Sequence, residues 1–240
     1  MRGRLARYAL YQLRDYVIER GLPTLLVGVI LFLPVLFTLL RPGGQEIPSL
    51  LAISTLSALM PIFGIVAVLL GVNGMIANDR HRGYFRFIFA KPLSVTRYYL
   101  QAFAINGVGT IAMVCSLVFV IVSLAGARFP WGIVPYMALF YICAGGIGFL
   151  LSVLTRFDWV ALGIIWALAQ TLRQLAYQLS GPYYEALNVL LPPAHLMTRM
   201  AEDYLQGIAT PTRTLVWVAG YGVLALLLGI AALRVRPLAP

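Results

Sequence analysis

Lysine occurs once in the 240 residues, at Lys91, and it follows Ala90 rather than glycine. The G-x-x-x-x-G-K-[ST] loop that cradles nucleotide phosphates needs a lysine directly behind a glycine, so this chain does not hydrolyse ATP through such a loop. Histidine is equally scarce, at His81 and His195, with no second His or Cys in metal-ligand register. The two cysteines, Cys115 and Cys143, both lie inside apolar runs and read as small buried hydrophobes, so neither a zinc site nor a disulfide framework is supported. There is no H-E-x-x-H pair, no G-x-S-x-G elbow and no cluster of carboxylates at the ends of the apolar runs. Metal-assisted chemistry on a lipid headgroup therefore lacks its ligands.

What the chain has in quantity is apolar surface. Hydrophobic residues make up 61% and charged residues only 11%, which excludes an ordinary soluble domain and defines a membrane protein. The net charge of +10 comes from seventeen arginines and the one lysine against eight acids. On a soluble chain that balance points to nucleic acid, but here the charges flank apolar runs and read as topology signals, with the lipid bilayer as partner and no nucleic acid.

The expected fold is all-α and polytopic, a single transmembrane domain over residues 1–240. Six apolar segments have about the twenty residues needed to cross a bilayer core: Leu22–Leu40, Leu50–Ala77, Tyr98–Ala125, Gly132–Leu154, Trp159–Leu179 and Leu215–Leu233. Pro34 and Pro61 predict kinks in the first and second unless neighbours re-satisfy the freed carbonyls. Before them, residues 1–21 place Leu5, Tyr8, Ala9, Leu13, Tyr16 and Val17 at helical spacing, an amphipathic interfacial helix. Its charges are spread along the segment and no small-residue cleavage site follows Leu40, so it is expected to stay in the mature chain.

An even number of spans puts both termini on one side. With that side cytoplasmic, thirteen basic residues face the cytoplasm, and only Arg41, Arg128, Arg173, Arg199 and Arg213 lie toward the outside. The excess of basic residues inside fixes the orientation, with both termini cytoplasmic.

The one long polar interruption between apolar runs is IANDRHRGYFRFIFAKPLSVTRYYL, Ile76 to Leu100. It carries Arg80, Arg82, Arg86, Lys91 and Arg97 against the single acid Asp79, so it does not lie in hydrocarbon. Its pattern is helix, break, helix. Pro92 holds Lys91 out of helical geometry and Ser94 stands where an N-cap is needed. Between Gly83 and Pro92, aromatics surround Arg86, which suits a short helix at the membrane surface or in the groove of a cytoplasmic partner. On charge alone it is an ordinary basic loop that fixes topology.

The spacing says more. Asp79 is followed by Gly83 four positions on and by Pro92-Leu93-Ser94 thirteen positions on, with an apolar patch between and an aromatic pair after. This order resembles the loop between the second and third spans of type-2 ABC exporter permeases, although that family more often has Glu at the place of Asp79 and Thr-Leu-Glu at Tyr84-Phe85-Arg86. The resemblance implies that residues 78–97 are a coupling segment docking on a separate ATPase. Asp79, Arg80, Arg82 and Arg86 would then make the docking contacts, Tyr84, Phe85 and Phe87 would fill the groove, and Gly83, Lys91 and Pro92 would complete the segment. It further implies a bacterial cytoplasmic (inner) membrane, two copies of an ABC ATPase subunit, which would hold the ATP and Mg, no cofactor in this chain, and a second permease subunit as homodimer or heterodimer.

Two polar features remain. Gln170, Gln174 and Gln178 are spaced by four on the fifth span, with Arg173 beside them, so they share one face. They suggest a substrate path, or snorkelling at the outer interface. In the outer connection, 180–213, the run AHLMTRMAEDYLQG after Pro192-Pro193 reads as an amphipathic helix with Leu196, Met197, Met200, Tyr204 and Leu205 on one face and Gly207 as its stop. It fits an external cap over a transport path or an interfacial shield for span ends. Asn73 and Asn106 are placed to bond across the second and third spans, Gly145, Gly146 and Gly148 allow close helix approach, and Asp158 reads as the N-cap of the fifth span. Two other functions stay open, a non-transporting scaffold of a larger membrane complex and a membrane-embedded lipid enzyme.

Overall fold

The computed structural model describes residues 2–40, 49–82, 94–176 and 189–235. Among them every regular element is helical. The order is α1 (Arg2–Tyr16), a π turn (Val17–Gly21), α2 (Leu22–Leu31), α3 (Leu33–Leu40), α4 (Ser49–Val72), α5 (Ala77–Arg82) and α6 (Val95–Leu124). Then come α7 (Ile133–Phe140), a second π turn (Tyr141–Gly145), α8 (Gly146–Leu154), α9 (Asp158–Ala176), α10 (Ala194–Gln206) and α11 (Thr212–Val235).

Four stretches are long and apolar enough to cross a membrane: Ser54–Asp79, Val95–Leu124, Ile133–Leu154 and Thr212–Val235. The Ile133–Leu154 stretch is the most enclosed, with 67% of its apolar window buried, and Thr212–Val235 the least, with 22%, so α11 is peripheral. The expected first span is divided. Phe32 leaves helical geometry (φ −91°, ψ 5°) between α2 and α3, two residues before Pro34, whose ring blocks the carbonyl four residues back. Pro61, by contrast, sits inside an unbroken α4. The expected fifth span is α9, in which Gln170, Arg173 and Gln174 interrupt the apolar run.

Three expectations are corrected. The N-terminal helix does not end before the first apolar run. Tyr16, Gly21 and Leu22 all keep right-handed helical geometry, and α1 continues into α2 through the π turn. The second apolar run reaches Asp79, but not as one continuous helix: α4 ends at Val72 and residues 73–76 form a turn with Gly74 at φ +63°, a left-handed conformation that glycine adopts without strain. Ser94 does occupy the N-cap position, but its side chain makes no capping bond. It is exposed.

The core is continuous along α4. Leu56, Met60, Phe63, Ala67, Val68 and Val72 are fully buried. Around α4 pack α6, the π-turn helix α7–α8, α9 and α10. The AHLMTRMAEDYLQG run forms a helix over Ala194–Gln206 that ends at Gly207 (φ +73°). Its buried face is Ala194, Met197, Met200, Ala201 and Leu205, while Leu196 and Tyr204 are only half-buried. This face meets α4, α7 and α9, so α10 is seated in the bundle.

Candidate functional site

A helix that stops inside a packed bundle leaves carbonyls and amides without ladder partners, and burying them unpaired is costly. At the end of α4 these groups are met by side chains from three other elements. Arg20, in the first π turn, donates from Nη1 to the Gly71 carbonyl and from Nη2 to the Asn73 carbonyl, each at 2.9 Å. Asp158, first residue of α9, accepts the Gly74 amide on Oδ2 at 2.9 Å. Ser152, in α8, accepts the amides of Ile76 and Ala77 on Oγ at 2.9 and 3.3 Å. The turn adds its own bonds, Met75 N–H to the Val72 carbonyl and Asn78 N–H to the Gly74 carbonyl.

The π turn that carries Arg20 is itself held. The π turn adds a residue to the helical turn and swings Arg20 toward α4, while the Thr24 hydroxyl donates to the Arg20 carbonyl at 2.7 Å. One turn earlier, the Tyr16 and Thr110 hydroxyls lie 3.0 Å apart. The Thr110 proton goes to the Asn106 carbonyl at 2.8 Å, so Tyr16 is the donor to Thr110. The close approach depends on Gly109, over which the Tyr16 ring lies. On the other side, the second π turn aims Tyr141, whose hydroxyl donates to the Phe103 carbonyl at 2.8 Å. The broken turn and both π turns thus surround one polar junction.

Arg20 precedes the first apolar run and Asp158 precedes the fifth. Burial lowers the pKa of Arg20 from the ordinary guanidinium value, opposed by the fields of Tyr141, Glu19, Tyr16 and Asp158. Burial raises the Asp158 carboxyl, opposed by bonds from Ser152, Trp159 and Gly74 and by the charge of Arg20. The Asp158 reading as a local cap is therefore half of its role. Oδ1 accepts the adjacent Trp159 amide at 2.8 Å, and Oδ2 reaches Gly74.

Beyond the junction α5 carries Asp79, Arg80 and Arg82. The Tyr99 hydroxyl donates to Asp79 Oδ2 at 3.1 Å, tying α5 to the start of α6. Gly83, Tyr84, Phe85, Arg86, Phe87, Lys91 and Pro92 lie outside the described residues. The proposed substrate stripe is placed differently from the coupling segment, on α9 beside α10. Gln170 Nε2 donates to the Ala194 carbonyl at 3.0 Å and so holds the first residue of α10. Arg173, half-buried, stands near His195, whose pKa is pushed down to about 4 by burial and then by the Arg173 charge. Gln174 follows on the same helix, and Gln178 lies outside the described residues.

Asn73 contributes its carbonyl rather than its side chain, which is exposed, and Asn106 likewise accepts through its carbonyl. Among the described residues no group of three His, Cys, Asp or Glu is placed to hold a metal ion. Sequence reasoning passed over Tyr16, Arg20, Thr110 and Ser152. A usable signal was present in Arg20 and Asp158, opposite charges that both immediately precede apolar runs expected to start on the same side. Comparison with known proteins finds no family model, no curated sequence and no solved structure that matches the chain.

Proposed function

We propose that the chain is the membrane-spanning permease subunit of an ATP-driven exporter of the type-2 ABC class, moving substrate across a bacterial cytoplasmic membrane with ATP hydrolysed by a separate ATPase subunit. The observation that carries this reading is the junction at the end of α4. A basic segment joined to the bundle by a plain loop transmits little force. Here the segment hangs from a broken helix whose free backbone groups are bonded to α8, α9 and the α1–α2 helix, so a push on α5 reaches several elements at once.

In this reading α2–α3 and α9 are the first and fifth of six spans, with α1 as the N-terminal amphipathic helix and both termini cytoplasmic. The exposed Trp131 and Trp217, at the starts of α7 and α11, then sit at the outer interface and Trp159 at the inner one, where tryptophan is favoured. Two copies of the ATPase hold the ATP and Mg, and a second permease subunit completes the path. Asp79 holds α5 on α6 through Tyr99, while Arg80 and Arg82 and the segment 83–92 meet the ATPase.

The test is purification of tagged chain in mild detergent, wild type and with Asp79, Arg82 and Phe85 all changed to Ala. An ATPase that co-purifies with the wild type and is lost from the folded variant supports the reading. Absence of any ATPase under conditions that keep the complex intact removes the motor, and a non-transporting scaffold becomes the better reading.

A further inference from the structure

The bonds at the end of α4 are not equivalent in their access to water. Asp158 and Ser152 grip the amides of Gly74, Ile76 and Ala77 through buried bonds. Arg20 grips the carbonyls of Gly71 and Asn73 at the margin, the first bond part-buried and the second exposed. When the guanidinium lets go at the margin, the exposed Asn73 carbonyl regains water and the part-buried Gly71 carbonyl regains it in part. Amides that let go in the interior are left bare. The left-handed Gly74, whose amide belongs to the buried set, follows directly on Asn73, whose carbonyl belongs to the marginal one.

We infer that the Asn73–Ile76 turn is a two-state hinge in which Ser152 and Asp158 are the pivot and Arg20 is a releasable latch joining the α1–α2 helix to the end of α4. In the latched state, seen here, the α1–α2 helix is held against the end of α4. In the unlatched state Arg20 leaves Gly71 and Asn73, the pivot bonds and the Tyr99–Asp79 bond persist, and the α1–α2 helix moves relative to α5. The two neighbouring π turns favour this, since each is a helical defect that takes up a change of register within one turn. The inference rests on the proposed function only for what drives the swing. The hinge is a property of the chain itself.

The test therefore uses the full chain in lipid nanodiscs without any ATPase. Nitroxide labels replace Leu10 and Asn78, both exposed, and the distance distribution is read by pulsed electron resonance, with amide exchange measured at Gly74, Ile76 and Ala77. Arg20→Ala is expected to add a second, distinct distance population while exchange at the three pivot amides stays within about twofold of wild type. Arg20→Lys, which reaches one carbonyl but not both, is expected to populate the second state less. An unchanged distribution in Arg20→Ala overturns the latch. A featureless broadening accompanied by fast exchange through α4 and α6 also overturns it, because Arg20 is then a packing residue. Loss of ATPase capture leaves this result standing, and a failed hinge leaves the ATPase result standing.

Discussion

The carboxylate of Asp158 and the amide of Gly74 meet at 2.9 Å across 84 residues of sequence. One residue opens α9 and the other stands just past the end of α4, so the bond fixes where the basic segment leaves the bundle. The same carboxylate is nearly inaccessible, at 1% exposure, in a chain with only eight acids. A buried acid in a membrane protein is retained for a reason of structure or function. Here it completes a break in a helix, with Arg20 and Ser152 as its companions.

Asp158→Ala removes the acceptor and leaves the Gly74 amide bare, at a cost of about 1 to 3 kcal/mol. Asp158→Asn keeps an acceptor oxygen and is expected to lose less. The pH dependence follows from the raised folded pKa of Asp158. Its contribution to stability is complete below the unfolded value, about 3.9, and is lost as pH rises through the higher folded value. Thermal unfolding midpoints in detergent at a fixed scan rate should therefore show a falling contribution with rising pH in the wild type that Asp158→Asn abolishes. An identical slope in both proteins would assign it to other groups.

His195 acts with the opposite sign. Its folded pKa is lowered to about 4 from an ordinary 6.5, so the neutral ring is the form the fold accepts. Its contribution is present above about 6.5 and is lost as pH falls toward 4. His195→Gln should flatten the acid side of the same profile and leave the Asp158 slope intact.

Much of the helix plan was legible because it rests on continuous local signals. The apolar runs marked α4, α6, α7–α8 and α11, Gly207 marked the end of α10, and Pro34 marked a break in the first run. The junction was not legible because its bonds are made between elements. Arg20 read as one more cytoplasmic charge, since nothing in its own turn shows that its partners are carbonyls 51 and 53 residues away. Tyr16 read as the apolar face of an amphipathic helix, which is true of its ring and silent about its hydroxyl. The π turns each last five residues, too short to alter a hydrophobic period. Gln170 was expected on a stripe of glutamines, but periodicity says which face a residue occupies and not what that face meets.

Two glycines on α11 give a sharp contrast. A methyl group on Gly222 would run into the backbone of Ile142 and Cys143, whereas one on Gly220, two residues earlier, meets nothing within 4 Å. Gly222→Ala must force α11 away from the second π turn, with a cost of about 1 to 3 kcal/mol or more. Gly220→Ala lowers the entropy of the unfolded chain at no steric cost and should be neutral or stabilising by up to about 1 kcal/mol. The pair is checked by thermal unfolding in one detergent, and equal effects at both sites would rule out the close crossing.

Tyr136 is fully buried and its hydroxyl has no hydrogen-bond partner among the described residues. Its ring packs against Phe140 and Tyr204. Tyr136→Phe removes an unpaired polar atom and keeps the ring, so it is expected to leave stability unchanged or raise it by about 1 kcal/mol. A loss of stability would place a bound water or other partner on that hydroxyl.

Gln170 decides between a substrate stripe and a tether for α10. Its amide donates to the Ala194 carbonyl, at the point where α10 begins, and the buried Met197 and Met200 follow directly behind. Gln170→Ala breaks that bond, at a cost of about 1 kcal/mol, and should loosen the start of α10 before anything else moves. Amide exchange along Ala194–Gln206 is expected to rise, with α4 and α6 unaffected. Gln170→Glu keeps the length but offers acceptors where a donor is needed, so it should loosen α10 at least as much as alanine does. A residue facing a substrate path would behave differently, changing transport or ligand-stimulated ATP hydrolysis with α10 exchange as in the wild type. That outcome would return Gln170 to the path, whereas raised exchange in both variants makes it the strap that seats α10.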